Sequence, residues 1–164
     1  MSRPEPYTPI KANHGRRLKM ADIYKESEYY RKLAEEVLEE HAEEFADIRE
    51  FDAKIGYLTS TKVKKRSGFI VNADCRKVAP EYRWCCHYDF LITVYEESVK
   101  MLTREQKKVL MWHELKHVGI QSDGEEKKLS LIPHDVQDFS DIIKSKGINW
   151  SSPGYTEDET EIID

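Results

Sequence analysis

The amino-acid sequence predicts one domain that mixes helices with strands, and three stretches carry the prediction. From Met20 to about Ile48 the chain is rich in Ala, Leu, Glu and Lys and has no Gly or Pro. Its apolar residues Tyr30, Leu33, Val37, Leu38, Ala42 and Phe45 recur at three- and four-residue steps, the period of a helix with one buried face. Asp89 to Tyr95 is a continuous run of β-branched and aromatic residues bounded by polar ones, the pattern of a strand. Thr103 followed three residues later by Gln106 is a capping box, which starts a helix running to about Val118.

The remaining elements follow along the chain. Residues 1–18 are polar, contain Pro4, Pro6 and Pro9, and read as a flexible arm before a domain over residues 19–150. Ile55 to Thr59 is a short strand candidate, followed by the basic run Lys62, Lys64, Lys65 and Arg66. Gly68 to Ala73 reads as a second strand or a buried turn, and residues 74–84 as a short helix or loop. Beyond the capped helix, Gly119 and Gly124 are places for it to end. Pro133 precedes a short helix from about His134 to Lys146, with Gly147 as its stop. Residues 151–164 are polar and acidic and read as a flexible tail.

Composition bounds the function. A chain of 164 residues can bury one proper core. Its charged fraction of 35% describes a very wet surface, and its net charge of −5 disfavours a protein that coats nucleic acid along its whole length. No run approaches the ~18 apolar residues of a membrane helix. No apolar stretch follows the charges near residue 1, so a cytoplasmic protein is expected. Cys75, Cys85 and Cys86 are odd in number and two are adjacent, which suits neither a disulfide framework nor a four-cysteine zinc knuckle.

The chemistry concentrates in His113-Glu114-Leu115-Lys116-His117, an HExxH pattern inside the helix expected on independent grounds. Residues four apart leave a helix on one face, so both imidazoles can reach one metal ion. Glu114 lies ~100° round the helix from His113 and points beside the metal rather than at it. From there it can act as general base on a water whose pKa zinc lowers towards ~7. A catalytic zinc site takes three protein ligands and leaves the fourth position open. His134 is the choice for the third, with Asp138, Asp135, Glu125, Glu126 and His87 as competitors. Asp138, one helical turn after His134, could instead orient its ring. Cys85 and Cys86 read as a buried pair beside a partly buried His87. Tyr88, Tyr95 and Arg83 are candidate donors to an oxyanion. The basic run 62–66 is either a solvated loop or a nucleic-acid contact.

The HExxH segment preceded by Trp112, the later His134-Asp135 pair followed by Phe139, and the strand Phe90 to Tyr95 together resemble a minimal zincin of the phage metallopeptidase family, related to SprT-like zinc proteases. The likeness covers about Ile55 to Phe139. It implies a compact α+β fold with a small, mostly antiparallel sheet, a long N-terminal helix and an HExxH active-site helix. It also implies one zinc ion held by His113, His117 and His134, with Glu114 as general base and a peptide or protein as substrate. In zincins a sheet edge lies above the metal helix and pairs with an extended peptide; Phe90 to Tyr95 is the candidate here, with a central core strand as its other reading. SprT-like relatives carry glycine directly after the third histidine, where this chain has Asp135, and often act on DNA-associated proteins. The rival from another class is a non-proteolytic binding or regulatory protein with a structural zinc, marked by a fourth protein ligand.

Overall fold

The computed structural model describes residues 23–124, 126–134 and 138–155. The expected arm over residues 1–18 lies outside them. The chain runs through β1 (Tyr24–Glu26), α1 (Glu28–Glu40), α2 (Ala46–Glu50), β2 (Ile55–Ser60), β3 (Lys65–Arg66), β4 (Phe69–Ile70), β5 (Ala73–Lys77), a 3-10 turn at Pro80–Tyr82, β6 (Phe90–Tyr95), α3 (Glu96–Val99), α4 (Arg104–Lys116), β7 (Val118–Asp123), β8 (Glu126–Leu131) and α5 (Ser140–Lys146). Four strands form one sheet in the order β1-β2-β6-β5; β2 and β6 are parallel and the other two pairings antiparallel. Helices and mostly antiparallel strands thus make up the α+β mixture. No helix among the described residues is long and apolar enough to cross a membrane.

β6 is the centre of the sheet, not its edge. Phe90, Ile92 and Val94 are fully buried, because α1 and α4 cover the sheet while β2 and β5 flank the strand. That is why its sequence is apolar almost throughout. The edge beside α4 belongs to β5, a strand expected as helix or loop. Its sequence, Ala-Asp-Cys-Arg-Lys, carries the charges that edge strands tolerate and buried ones do not.

The leading helix is shorter than its periodicity suggests. Tyr24 to Glu26 are spent on β1, and the Ser27 side chain accepts from Tyr30 N–H at 3.3 Å to start α1. The helix stops at His41, whose ring stacks on Trp112 with centroids 4.2 Å apart. The turn over residues 41–45 lets Phe45 and then Ile48 enter the core from a new direction. No Gly or Pro marks this break; tertiary packing overrides a favourable helix propensity.

The segment at 68–73 is neither a buried turn nor one strand. Ser67 and Gly68, with φ of 50° and 84°, form a two-residue hairpin turn of the I′ kind between β3 and β4, and its apolar residues are exposed. Residues 118–131, expected as loop, form a second hairpin directly after α4. Gly119 does not end the helix. It sits in β7 opposite Ser130, where an added Cβ would come within 2.4 Å of the serine hydroxyl and 3.1 Å of its carbonyl. Cys85 and His87 are exposed and Cys86 half-buried, so no buried cysteine pair exists; they follow the 3-10 turn rather than lying on a strand. The last helix begins at Ser140, not His134, and ends as expected at Gly147, φ 78°, whose N–H donates to Ile143 O at 2.7 Å.

Candidate metal centre

α4 positions the first two imidazoles. Its capping box is closed: Gln106 N–H donates to Thr103 Oγ1 at 3.2 Å, and Thr103 N–H to Gln106 Oε1 at 2.9 Å. Leu110, Met111 and Leu115 bury one face. Trp112 Nε1 donates to Glu44 at 3.0 Å, and Lys116, one turn on, is held by Glu44 and Asp141. With its rotation so fixed, the helix turns His113 and His117 into a cleft of about 650 Å³.

The third imidazole arrives through the β7–β8 hairpin. Ile132 N–H donates to His117 O at 2.8 Å, and the His117 ring returns a bond from Nδ1 to Ile132 O at 2.6 Å. Two residues later His134 lies over the end of α4. Its Nε2 is 2.9 Å from His113 Nε2 and 3.0 Å from His117 Nε2. The ring nitrogens of the three histidines form a cluster within 4.8 Å, and no fourth His, Cys, Asp or Glu among the described residues joins it.

The partners of the outer nitrogens settle the tautomers. Ile132 O can only accept, so His117 carries its proton on Nδ1. Asp138 Oδ1 lies 2.5 Å from His113 Nδ1, and Asp138 Oδ2 accepts from Trp150 Nε1 at 2.7 Å. Burial alone would raise the Asp138 carboxyl, but the bond to His113 and its charge, with the Trp150 and Phe139 N–H groups, hold it down to about 2. It is therefore an acceptor, and His113 also carries its proton on Nδ1. Both Nε2 lone pairs then face one point, which His134 Nε2 also faces. One ring N–H cannot satisfy two lone pairs and a third nitrogen; a cation can. Ligand nitrogens ~2.0–2.1 Å from a tetrahedral zinc would lie ~3.3–3.4 Å apart, close to the separations found. Burial of His117, which holds its imidazolium down to about 4, keeps that ring in the neutral form a metal requires.

Glu114 is 3% exposed, and its Oε2 has no hydrogen-bond partner among the described residues. Burial pushes its carboxyl up to about 7; His113 pulls it back, while Asp74 and Asp138 add negative charge. Such a group exchanges a proton readily near neutral pH. The opposite wall of the cleft is β5, through Ala73, Asp74 and Cys75, continued by the β3–β4 hairpin. Burial pushes the Cys75 thiol up, so it stays protonated.

The structure thus brings His113, His117 and His134 together with Glu114 beside them. Asp138 orients His113 rather than His134, because the helix that would have stacked it on His134 starts only at Ser140. Exposed His87 and Glu126 are not in the cluster, and Asp135 and Glu125 lie outside the described residues. None of the expected oxyanion donors lines the cleft: Tyr88 donates to Glu26 at 3.0 Å, Tyr95 to Asp74 at 2.8 Å, and Arg83 is bound by Asp89 at 2.7 Å. Trp150 and the Ile132 carbonyl, which hold the site from outside, went unnoticed in the sequence. Trp150 is fixed by buried Gln106, whose Nε2 donates to Trp150 O at 2.9 Å and to Ser152 O at 2.5 Å. Residues 151–155, the start of the expected tail, are in this way held to the domain, and Tyr155 donates to Lys146 O.

No curated protein and no solved structure gives a significant match to this chain. A family model described as "putative phage metallopeptidase" matches residues 22–161, which include every element above. The span and the histidine cluster inside it agree, and the chain belongs to the putative phage metallopeptidase family.

Proposed function

We propose that this protein is a zinc-dependent metallopeptidase of minimal zincin architecture, with His113, His117 and His134 as the metal ligands and Glu114 as the general base. The observation that carries this reading is the convergence of three imidazole Nε2 atoms beside a buried carboxylate with an unpartnered oxygen. Bound zinc would supply Lewis acidity, polarising a carbonyl and making water acidic enough to deprotonate near neutral pH.

The chain's own residues do the rest. Three histidines and, among the described residues, no fourth protein donor leave an open position, as catalytic rather than structural zinc sites do. Glu114 takes the proton of the attacking water on the oxygen that lacks a partner, then delivers it to the leaving amine; a carboxyl poised near 7 can do both. Asp138 stabilises the Nδ1–H tautomer of His113 and fixes its ring plane. β5 has no strand on its outer side among the described residues and borders the cleft, so an extended peptide can pair with it and lay a carbonyl over the metal position.

The test is metal analysis of the purified chain together with Glu114→Gln. Zinc is expected near one per chain in both proteins, while peptide cleavage disappears in the variant, a loss of about 10²–10⁴-fold or more for a general base. A wild-type chain that binds no zinc would sink the reading. Full zinc with no cleavage of any peptide would leave a binding protein on the same fold.

A further inference from the structure

One wall of the cleft is unused by this chemistry. In the β3–β4 hairpin, Arg66 and Phe69 are directly opposed, so their side chains stand on the same face. Both line the cleft, as does Ile70. Phe69 is 78% exposed and Ile70 60%, among the large apolar side chains left outside the core. The hairpin does not droop onto that core because its base is tied. Val71 N–H donates to Lys64 O at 2.9 Å, Ser98 Oγ to Val71 O at 3.1 Å, and the Lys64 ammonium is bound by Asp74.

The other cations around the cleft are occupied or turned away: Lys65, next to Arg66 in the strand, stands on the opposite face of the hairpin. Lys64 and Arg76 share Asp74, Arg83 is paired with Asp89, and Lys77 donates to Leu129 O. The Arg66 side chain has no ion pair or hydrogen bond among the described residues, and it stands at the cleft mouth beside the exposed Phe69 ring. A guanidinium held next to an apolar surface is a complete recognition pair for a carboxylate next to an apolar group.

We propose that the β3–β4 hairpin selects the substrate of this site, an extended polypeptide segment carrying a large apolar side chain and an acidic side chain two residues apart. The spacing follows from the geometry. In an extended chain residues i and i+2 share a face ~6.5–7 Å apart, a distance that the Arg66 side chain, beside Phe69 across the hairpin, can bridge. The apolar group packs on Phe69, and the carboxylate takes the Arg66 guanidinium. The inference rests on the peptidase reading but concerns binding, so it can be tested without turnover.

The experiment uses the full chain carrying Glu114→Gln, with zinc in the buffer, and fluorescein-labelled peptides containing Leu-Ser-Glu, Leu-Ser-Lys or Ser-Ser-Glu in a Gly-Ser background, read by anisotropy. The Leu-Ser-Glu peptide is expected to bind roughly fivefold more tightly than either relative, one exposed ion pair or one partly buried side chain being each sufficient for that ratio. Arg66→Glu should invert the Glu-over-Lys preference, Arg66→Gln should abolish it, and Phe69→Ser should remove the Leu-over-Ser preference alone. An unchanged Glu-over-Lys ratio in both Arg66 variants overturns the inference. So does displacement of the peptide by a duplex oligonucleotide that binds more tightly and loses its hold in Arg66→Glu, because the hairpin is then a nucleic-acid surface. Wild-type chain that cleaves peptides without this preference keeps the peptidase reading and removes the inference. Preferential binding without any wild-type cleavage does the reverse.

Discussion

The two walls of the cleft are built to opposite rules. On the α4 side both helix imidazoles have partners behind them, Asp138 and then Trp150 behind His113 and the Ile132 carbonyl behind His117, and only the Glu114 Oε2 that faces the chemistry is left without one among the described residues. On the β5 and hairpin side, among the described residues, the sheet edge is unpaired and the Arg66 side chain has no bonded partner, while Phe69 and Ile70 are exposed. The first wall spends its bonding capacity internally and is preorganised for one geometry. The second keeps its capacity for something that is not part of the chain. A wall that holds reacting groups and a wall that holds a variable ligand should differ in this way, and the difference can be broken experimentally.

The largest effect is expected at the metal ligands. His117→Ala removes one ring of three and the bond to Ile132 that brings His134 into place. Zinc content measured after gel filtration should fall from near one per chain to background, and His134→Ala should do the same while leaving the fold intact. Zinc retained in both variants would mean that the three rings do not share an ion.

Glu114 comes next, through stability rather than activity. Its folded carboxyl sits at about 7, above the ordinary 4.5, so the folded state binds its proton more tightly than the unfolded chain does. The stabilising contribution is therefore complete below pH 4.5 and lost as pH rises through 7. In metal-free protein, Glu114→Gln should be about as stable as wild type near pH 4.5 and more stable at pH 8, by up to about 3 kcal/mol. Urea unfolding at both values checks this; a gap that does not widen with pH would mean that Glu114 is not held in a dry site.

Asp138 and Trp150 give a smaller effect. Asp138→Asn leaves the His113 proton without a carboxylate, and zinc affinity should fall by about 10–100-fold, as for other groups that orient metal-bound imidazoles. Trp150→Phe keeps the packing but removes the indole N–H donor, so a weaker fall in the same competition assay is expected. Equal zinc affinity in all three proteins would make the carboxylate an ordinary surface partner.

These residues also show which parts of the molecule could be read before folding. The capping box and the HExxH pattern have partners three and four residues apart, so α4 and two ligands were legible. β6 was legible as a strand because burial on both sides forces apolarity, yet its neighbours are set by long-range pairing, which left a central place and a sheet edge both open. β5 and β8 hid behind charges: Asp-Cys-Arg-Lys and Glu-Lys-Lys do not alternate visibly, since an edge strand or an exposed hairpin needs only one partner. His134 was chosen for its place after the loop with Gly124 and Pro133, as the opening of a helix that in fact starts at Ser140, and for the family resemblance. What places it is the pairing of Val118 with Leu131, a contact made only when the hairpin closes. Asp138, offered as a competing ligand or as a partner of His134, bonds His113 instead, because the helix that its spacing from His134 invited begins only after Asp138 and Phe139.

The smallest effect is the most discriminating for the contrast between the walls. Arg66→Glu and Phe69→Ser change exposed residues, and the Arg66 side chain bonds to nothing among the described residues. Each should alter unfolding free energy by no more than about 0.5 kcal/mol, the usual range for surface sites away from special features. The type I′ turn and the ties of Val71 and Lys64 that hold the hairpin do not involve either side chain. A clear destabilisation by Phe69→Ser would mean that the ring packs on the body of the protein in solution and is not held out over the cleft. Unchanged stability together with changed peptide binding is the combination that only an outward-facing recognition wall produces.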